Sequence, residues 1–114
     1  MNNPLLVLQT QLGLSKNEST LFLYLIKTGR RTLDQITADL DYTEYEAEKT
    51  AQALVDLGMI ISVSQFVYIP LHPRFAIVNR YREKCQEDNL PFRRNVLIDN
   101  LGIIMEKYFD SANV

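Results

Sequence analysis

The sequence predicts a mainly α-helical chain with one small β-hairpin. Three observations predict it. A serine or threonine stands three residues before a glutamate at two places, Ser15–Glu18 and Thr43–Glu46, and apolar residues then recur at helical spacing. Between residues 59 and 70 that spacing is lost, and β-branched and aromatic residues take over. Helical spacing returns after Pro73, a residue suited to the first position of a helix. A length of 114 residues, 46% of them hydrophobic, suits one folded domain rather than a disordered chain.

Taken in order, Leu5, Leu8, Gln9 and Leu12 predict a short opening helix ended by Gly13. Ser15 and Glu18 then form a capping box, with Leu14 before the cap as a staple. Leu21, Phe22, Leu25 and Ile26 follow, and Gly29 stops a helix of about residues 16–28. Thr32 caps a shorter helix whose apolar side is Leu33, Ile36, Ala38 and Leu40. Thr43 caps the next, with Ala47, Ala51, Leu54 and Leu57 on one face and Gly58 at its end. The stretch from Met59 to Pro70 reads as a hairpin turning at Ser64-Gln65.

His72 is placed to cap the helix opened by Pro73, with Phe75, Val78, Tyr81 and Cys85 along one face. Leu90-Pro91 breaks the pattern, and a last helix is expected from about Phe92 to Asp110. Its polar stripe is narrow: Asn95, Asp99, Gly102, Glu106 and Asp110. A helix apolar over most of its circumference must be covered on most sides. So short a chain is not expected to supply that cover, which predicts a homodimer through Leu97, Leu101, Ile104, Met105 and Tyr108. Three short helices followed by a hairpin is the winged helix-turn-helix order. The expected division is a winged core over residues 1–72 and a helical dimerisation extension over 73–114.

Composition excludes several functions. One cysteine, Cys85, forms no intramolecular disulfide and fits a reducing cytoplasm as an inert packed thiol. With a single histidine, it also leaves no Cys/His zinc site within one chain. The first eight residues lack a basic region and a cleavage site, so they do not read as a secretory leader. No window has the run of about 20 apolar residues that a membrane span needs. There is no Gly-rich phosphate loop and no nucleophile–base pair with supporting context, so no catalytic residue, metal or cofactor is expected. A net charge of −2 rules out a nucleic-acid protein recognisable by bulk charge.

The run Leu12-Gly13-Leu14-Ser15-Lys16-Asn17-Glu18, followed by Leu21, Tyr24 and Leu25, resembles the N-terminal domain of TrmB-type regulators. Gly29, Thr32, Ile36 and Leu40 fall where that family has its second helix. Leu54, Leu57, Gly58, Met59 and Ile60 match the end of its recognition helix, and Tyr68 and Pro73 its wing exit. The resemblance spans about residues 5–80. It implies a transcription regulator that binds duplex DNA as a dimer, with the helix after Thr43 in the major groove. Larger members add a sugar-sensing domain, for which this chain leaves no room.

The charge pattern departs from the family. Residues 41–57 carry Asp41, Glu44, Glu46, Glu48 and Asp56 against Lys49 alone, a net −4. The outward residues of that helix are Glu44, Tyr45, Glu48, Lys49 and Gln52. Carboxylates there repel a polyanion. Residues 73–94 carry Arg74, Arg80, Arg82, Lys84, Arg93 and Arg94 against three acids, a net +3. Together with Arg30 and Arg31 they are the candidate phosphate contacts, unless the cations simply form a solvated, ion-paired helix face. Tyr42 is expected to pack in the inter-helix turn, and Tyr45 to be an exposed contact residue. A hairpin tip without lysine or arginine suggests a structural wing. The alternative function is a winged helix repurposed for protein–protein contact, as an adaptor or subunit with an acidic face for a basic partner.

Overall fold

The computed structural model describes residues 3–113. Met1 and Asn2 of the leader reading, and Val114 at the end of the extension, lie outside the described residues. The elements run α1 (Pro4–Leu12), α2 (Lys16–Thr28), β1 (Arg31–Thr32), α3 (Leu33–Leu40), α4 (Glu44–Asp56), β2 (Ile60–Ser64), β3 (Val67–Pro70), α5 (Pro73–Glu87) and α6 (Val96–Ala112). This is a winged helix-turn-helix, formed by α2, α3, α4 and the β2–β3 wing, with helices added at both ends.

Local chemistry sets the helix starts. Ser15 Oγ accepts from the Glu18 amide at 3.1 Å, and the Glu18 carboxylate accepts from the Ser15 amide at 2.9 Å. The same reciprocal pair closes Thr32 with Gln35 and Thr43 with Glu46. Each box satisfies two amides that a helix start otherwise leaves unpaired. Asp41 ends α3 in the left-handed region (φ 56°), which a short polar side chain tolerates. Gly13 ends α1 at φ 70°, as its position in the sequence predicts. His72 Nδ1 accepts from the Arg74 amide at 3.2 Å, so the expected cap of α5 is present.

The sheet has three antiparallel strands in the order β1-β3-β2. Sequence reading found the hairpin but not β1, because two residues, Arg31 and Thr32, carry no periodic signal. Arg31 pairs with Tyr68 and Thr32 with Val67. The wing turn lies at Gln65-Phe66, one residue later than Ser64-Gln65. Phe66 takes the positive φ (62°) that the turn demands, and its carbonyl accepts from the Leu33 amide at 2.8 Å. That bond pins the wing to the start of α3.

One core runs through the molecule. Leu21, Phe22, Leu25 and Ile26 of α2 are fully buried at its centre. Leu8 and Leu12 of α1, Ile36 of α3, Ala47, Ala51 and Leu54 of α4, and Met59 and Ile60 close around them. Ala76 and Ile77 of α5 and Ile98, Leu101 and Met105 of α6 belong to the same cluster.

Three expectations about the helices are corrected. Ala38 is exposed, so the apolar side of α3 is Leu33 and Ile36, with Leu40 partly covered. The buried face of α5 is Ala76, Ile77, Arg80 and Cys85, whereas Phe75 is 60% exposed. The last helix starts at Val96, capped by Asn95, because Asn95 Oδ1 accepts from the Leu97 and Ile98 amides and residues 91–95 form no helix. Part of the cover for α6 comes from within the chain, since α6 packs on α1, α2 and α5, while Val96, Ile103 and Tyr108 stay exposed. Its narrow polar stripe lies along the seam with α5: Asn95 donates to the Tyr81 hydroxyl at 3.2 Å, and Glu106 meets His72 at 3.4 Å. At Gly102 a Cβ would come within 3.0 Å of the Arg74 side chain, which would have to shift to admit a larger residue.

Candidate nucleic-acid interface

The helix-turn-helix is set by α3 and α4. Ala47, Thr50, Ala51 and Leu54 turn inward and fix which side of α4 faces out. The Tyr42 hydroxyl donates to the Asn17 carbonyl at 3.2 Å, which ties the turn to α2 and gives Tyr42 its expected packed role. Burial holds the Tyr42 phenol above its ordinary pKa.

Glu44, Tyr45, Glu48, Lys49 and Gln52 are all exposed on the outer side of α4, as the spacing predicts. Tyr45 is 73% exposed, and the Lys49 ammonium sits 5.8 Å from its ring centre. Gln52 donates to Asp56 at 2.9 Å. The basic group nearest the acids on this face is thus engaged with an aromatic ring rather than with a carboxylate. Glu46 is taken up by the cap. The backbone and side chain of Thr43 hold its carboxyl below the usual glutamate range. Glu44 and Glu46 in the first turn also stabilise α4 through the helix dipole.

Two grooves flank α4. One, of about 370 Å³, runs between α4 and the start of α2, lined by Ser15, Glu18, Tyr45, Glu46 and Lys49 among others. The other, of about 340 Å³, lies between α4, α3 and the wing turn, lined by Asp34, Glu44, Gln65 and Phe66 among others. Both are bordered by carboxylates. Burial, and then the charge of Glu48, hold the Tyr68 phenol above its ordinary pKa.

The candidate cations are scattered, and half of them are ion-paired. Arg74 sits 3.9 Å from Glu106, Lys84 3.0 Å from Asp88, and Arg94 2.9 Å from Asp99. Arg80 is corrected outright as a surface contact: it is 5% exposed. Its Nε donates to the Leu12 carbonyl at 3.0 Å, and its Nη1 to Glu87 at 2.8 Å. Arg82 is exposed and stacks on Phe92, 4.9 Å from the ring centre. Arg30 is exposed, and Arg31 lies partly covered in β1 with its Nη1 on the Arg30 carbonyl at 2.8 Å. These cations are not on α4. That helix packs on α2, α3 and β2, whereas α5 packs on α1 and α6.

The dimer residues also divide. Leu101 is 2% exposed and Met105 fully buried inside the chain, so neither is a free contact. Leu97 and Ile104 are partly covered, and Tyr108 is 36% exposed with Lys27 over its ring at 4.7 Å. Sequence reading missed the buried role of Arg80, whose partners lie 68 and 7 residues away. A lysine or arginine on an otherwise apolar helix face was the signal that could have found it. Among the described residues no group of His, Cys, Asp and Glu is arranged to hold a metal ion. No described helix is long and apolar enough to cross a membrane.

Compared with family models, the chain matches that of the sugar-specific transcriptional regulator TrmB over residues 8–74, more than half of its length. No curated protein and no solved structure matches it.

Proposed function

The chain belongs to the family of TrmB sugar-specific transcriptional regulators, and from that membership we propose that it binds duplex DNA as a dimer. The observation that carries the reading is the family match across the whole helix-turn-helix and wing. Phosphate contacts are assigned to the cations left at the surface, Arg30, Arg31 and Arg82, with Arg74 and Lys84 released from their acidic neighbours on binding. Tyr45, Lys49 and Gln52 are the base-edge candidates on α4. We propose the dimer contact on the apolar side chains still reachable on α6, Leu97, Ile104 and Tyr108. Residues 73–114 are proposed as the segment that joins two winged cores of residues 1–72. The cytoplasm is the proposed compartment, and no cofactor is invoked.

One observation favours a second reading. The outer face of α4 presents Glu44 and Glu48 with no ion pair to a cation among the described residues. That face repels phosphate and suits a basic protein partner. A single experiment separates the readings: mobility shift on random duplex at about 50 mM salt, where phosphate contacts are strongest. On the first reading DNA shifts, Arg30→Ala with Arg82→Ala lowers the salt slope by about 2, and Glu44→Lys with Glu48→Lys tightens binding. Absence of any shift by the wild type, with no gain from the two lysines, leaves the second reading.

A further inference from the structure

The loop between α5 and α6 projects from the molecule: every residue from 86 to 94 is exposed. Leu90 is 59% exposed and Phe92 48%, with Pro91 between them. Residues 89–94 carry Arg93 and Arg94 and no acid. The acids just before them are held by α5, Glu87 by Arg80 and Asp88 by Lys84. Among the described residues Arg82 and Arg93 have no ion pair. The projection is nonetheless fixed in shape. Asn89 turns at a positive φ (56°), and the Leu90 amide donates to the Cys85 carbonyl at 2.8 Å. Phe92 rests 5.8 Å from the Tyr81 ring, with Arg82 over its own ring.

We propose that this apolar, basic loop of one copy docks on the outer face of α4 of a second copy. The α4 face has the complementary character. Tyr45 stands out at its centre, and Glu48 follows at i+3, on the same side of the helix. The groove of about 370 Å³ beside Tyr45 is lined by Thr50 and Ala53 together with Glu18 and Glu46. Lys49 also lines it, 5.8 Å from the Tyr45 ring centre. Leu90 and Phe92 meet Tyr45 and the groove, and Arg93 and Arg94 meet the carboxylates around it. Charge selects the occupant. DNA would suit the loop but is repelled by α4, and a foreign basic segment would suit α4 but leave the loop in water. A second copy satisfies both surfaces in one contact. The loop and the outer side of α4 are both exposed in one chain, so neither covers the other from within. A loop already held in shape loses little freedom on docking. The contact rests on charge and exposure alone and stands whether or not the chain binds DNA.

The test exchanges charge between two copies of the full chain and follows backbone amides by NMR. In the isotope-labelled wild type, the amides of residues 44–49 and 89–94 are expected to move together as concentration rises to about 1 mM, the range of contacts built on exposed charges. Raising salt from about 20 mM to 0.5 M is expected to weaken the association by about tenfold or more. Glu44→Lys with Glu48→Lys, and separately Arg93→Glu with Arg94→Glu, are each expected to abolish these shifts. Their melting temperatures are retained, because all four positions are exposed. Unlabelled loop variant added to labelled α4 variant is expected to move residues 44–49 again, since a basic α4 then meets an acidic loop. Loss of fold cannot produce that recovery. A wild type whose residues 44–49 stay in place overturns the proposal, as does a mixture of the two variants without recovery. Shifts confined to Leu97, Ile104 and Tyr108 give the association to α6 and overturn it too. So does duplex DNA that moves residues 89–94 when added copies of the chain do not.

Discussion

Arg80 shows how one side chain can change roles between sequence and structure. By composition it belongs to a basic stripe, yet it is the one charged residue buried among those described. Its guanidinium joins the Leu12 carbonyl at the end of α1 to Glu87 at the end of α5. Arg80→Ala leaves that carbonyl and carboxylate without their donor. It is expected to lower stability by about 1–3 kcal/mol in urea denaturation, the cost of leaving a buried hydrogen-bonding group without its partner. The hydrogen bond from Arg80, aided by its charge, holds the Glu87 carboxyl below the ordinary glutamate pKa. A depressed folded pKa stabilises fully above the unfolded value, about 4.3 for glutamate. That stabilisation is lost as pH falls through the folded value. Glu87→Gln keeps the shape and removes the titration. Its stability should fall less steeply than that of the wild type below about pH 4, and identical slopes would refute the coupling.

At the scale of elements, α6 carries the main lesson. Its sequence demands cover on most sides, and α1, α2 and α5 supply it for Ile98, Leu101 and Met105 but leave Val96 and Ile103 exposed. Leu101→Ala is therefore expected to cost about 2–5 kcal/mol, as for other buried leucines. The loss should be the same over about a hundredfold range of protein concentration, because a monomer core does not obey mass action. A loss that shrinks at high concentration would return Leu101 to an interface. The same scale explains what was legible. Caps at Ser15, Thr32 and Thr43 are local, each closed within four residues, so helix starts could be read directly. The start of α6 could not, because Phe92 and Arg93 carry no sign that Asn95 would take the cap. β1 was invisible for a related reason: its two residues are a strand only because β3 lies beside them.

For the whole molecule, Ile98, Leu101 and Met105 share one buried cluster with the winged helix. A chain ended at residue 72 is expected to lose a sharp thermal transition, since it exposes the apolar surface of α1 and α2 that α6 covers. A cooperative melt of that fragment would show the winged core to be stable alone. The acidic outer face of α4 was legible, because helical spacing alone fixes which residues lie opposite Ala47, Ala51 and Leu54. The fate of the cations was not. Whether Arg74, Lys84 and Arg94 stand free or pair with Glu106, Asp88 and Asp99 depends on where α5, α6 and their connection come together. By itself the sequence determined the helix starts at Ser15, Thr32 and Thr43, the winged order and the charge of α4, since caps, periods and faces act over a few neighbouring residues. Only the tertiary structure decided what covers α6 and which arginine is buried, since those depend on residues far apart in the chain meeting in space.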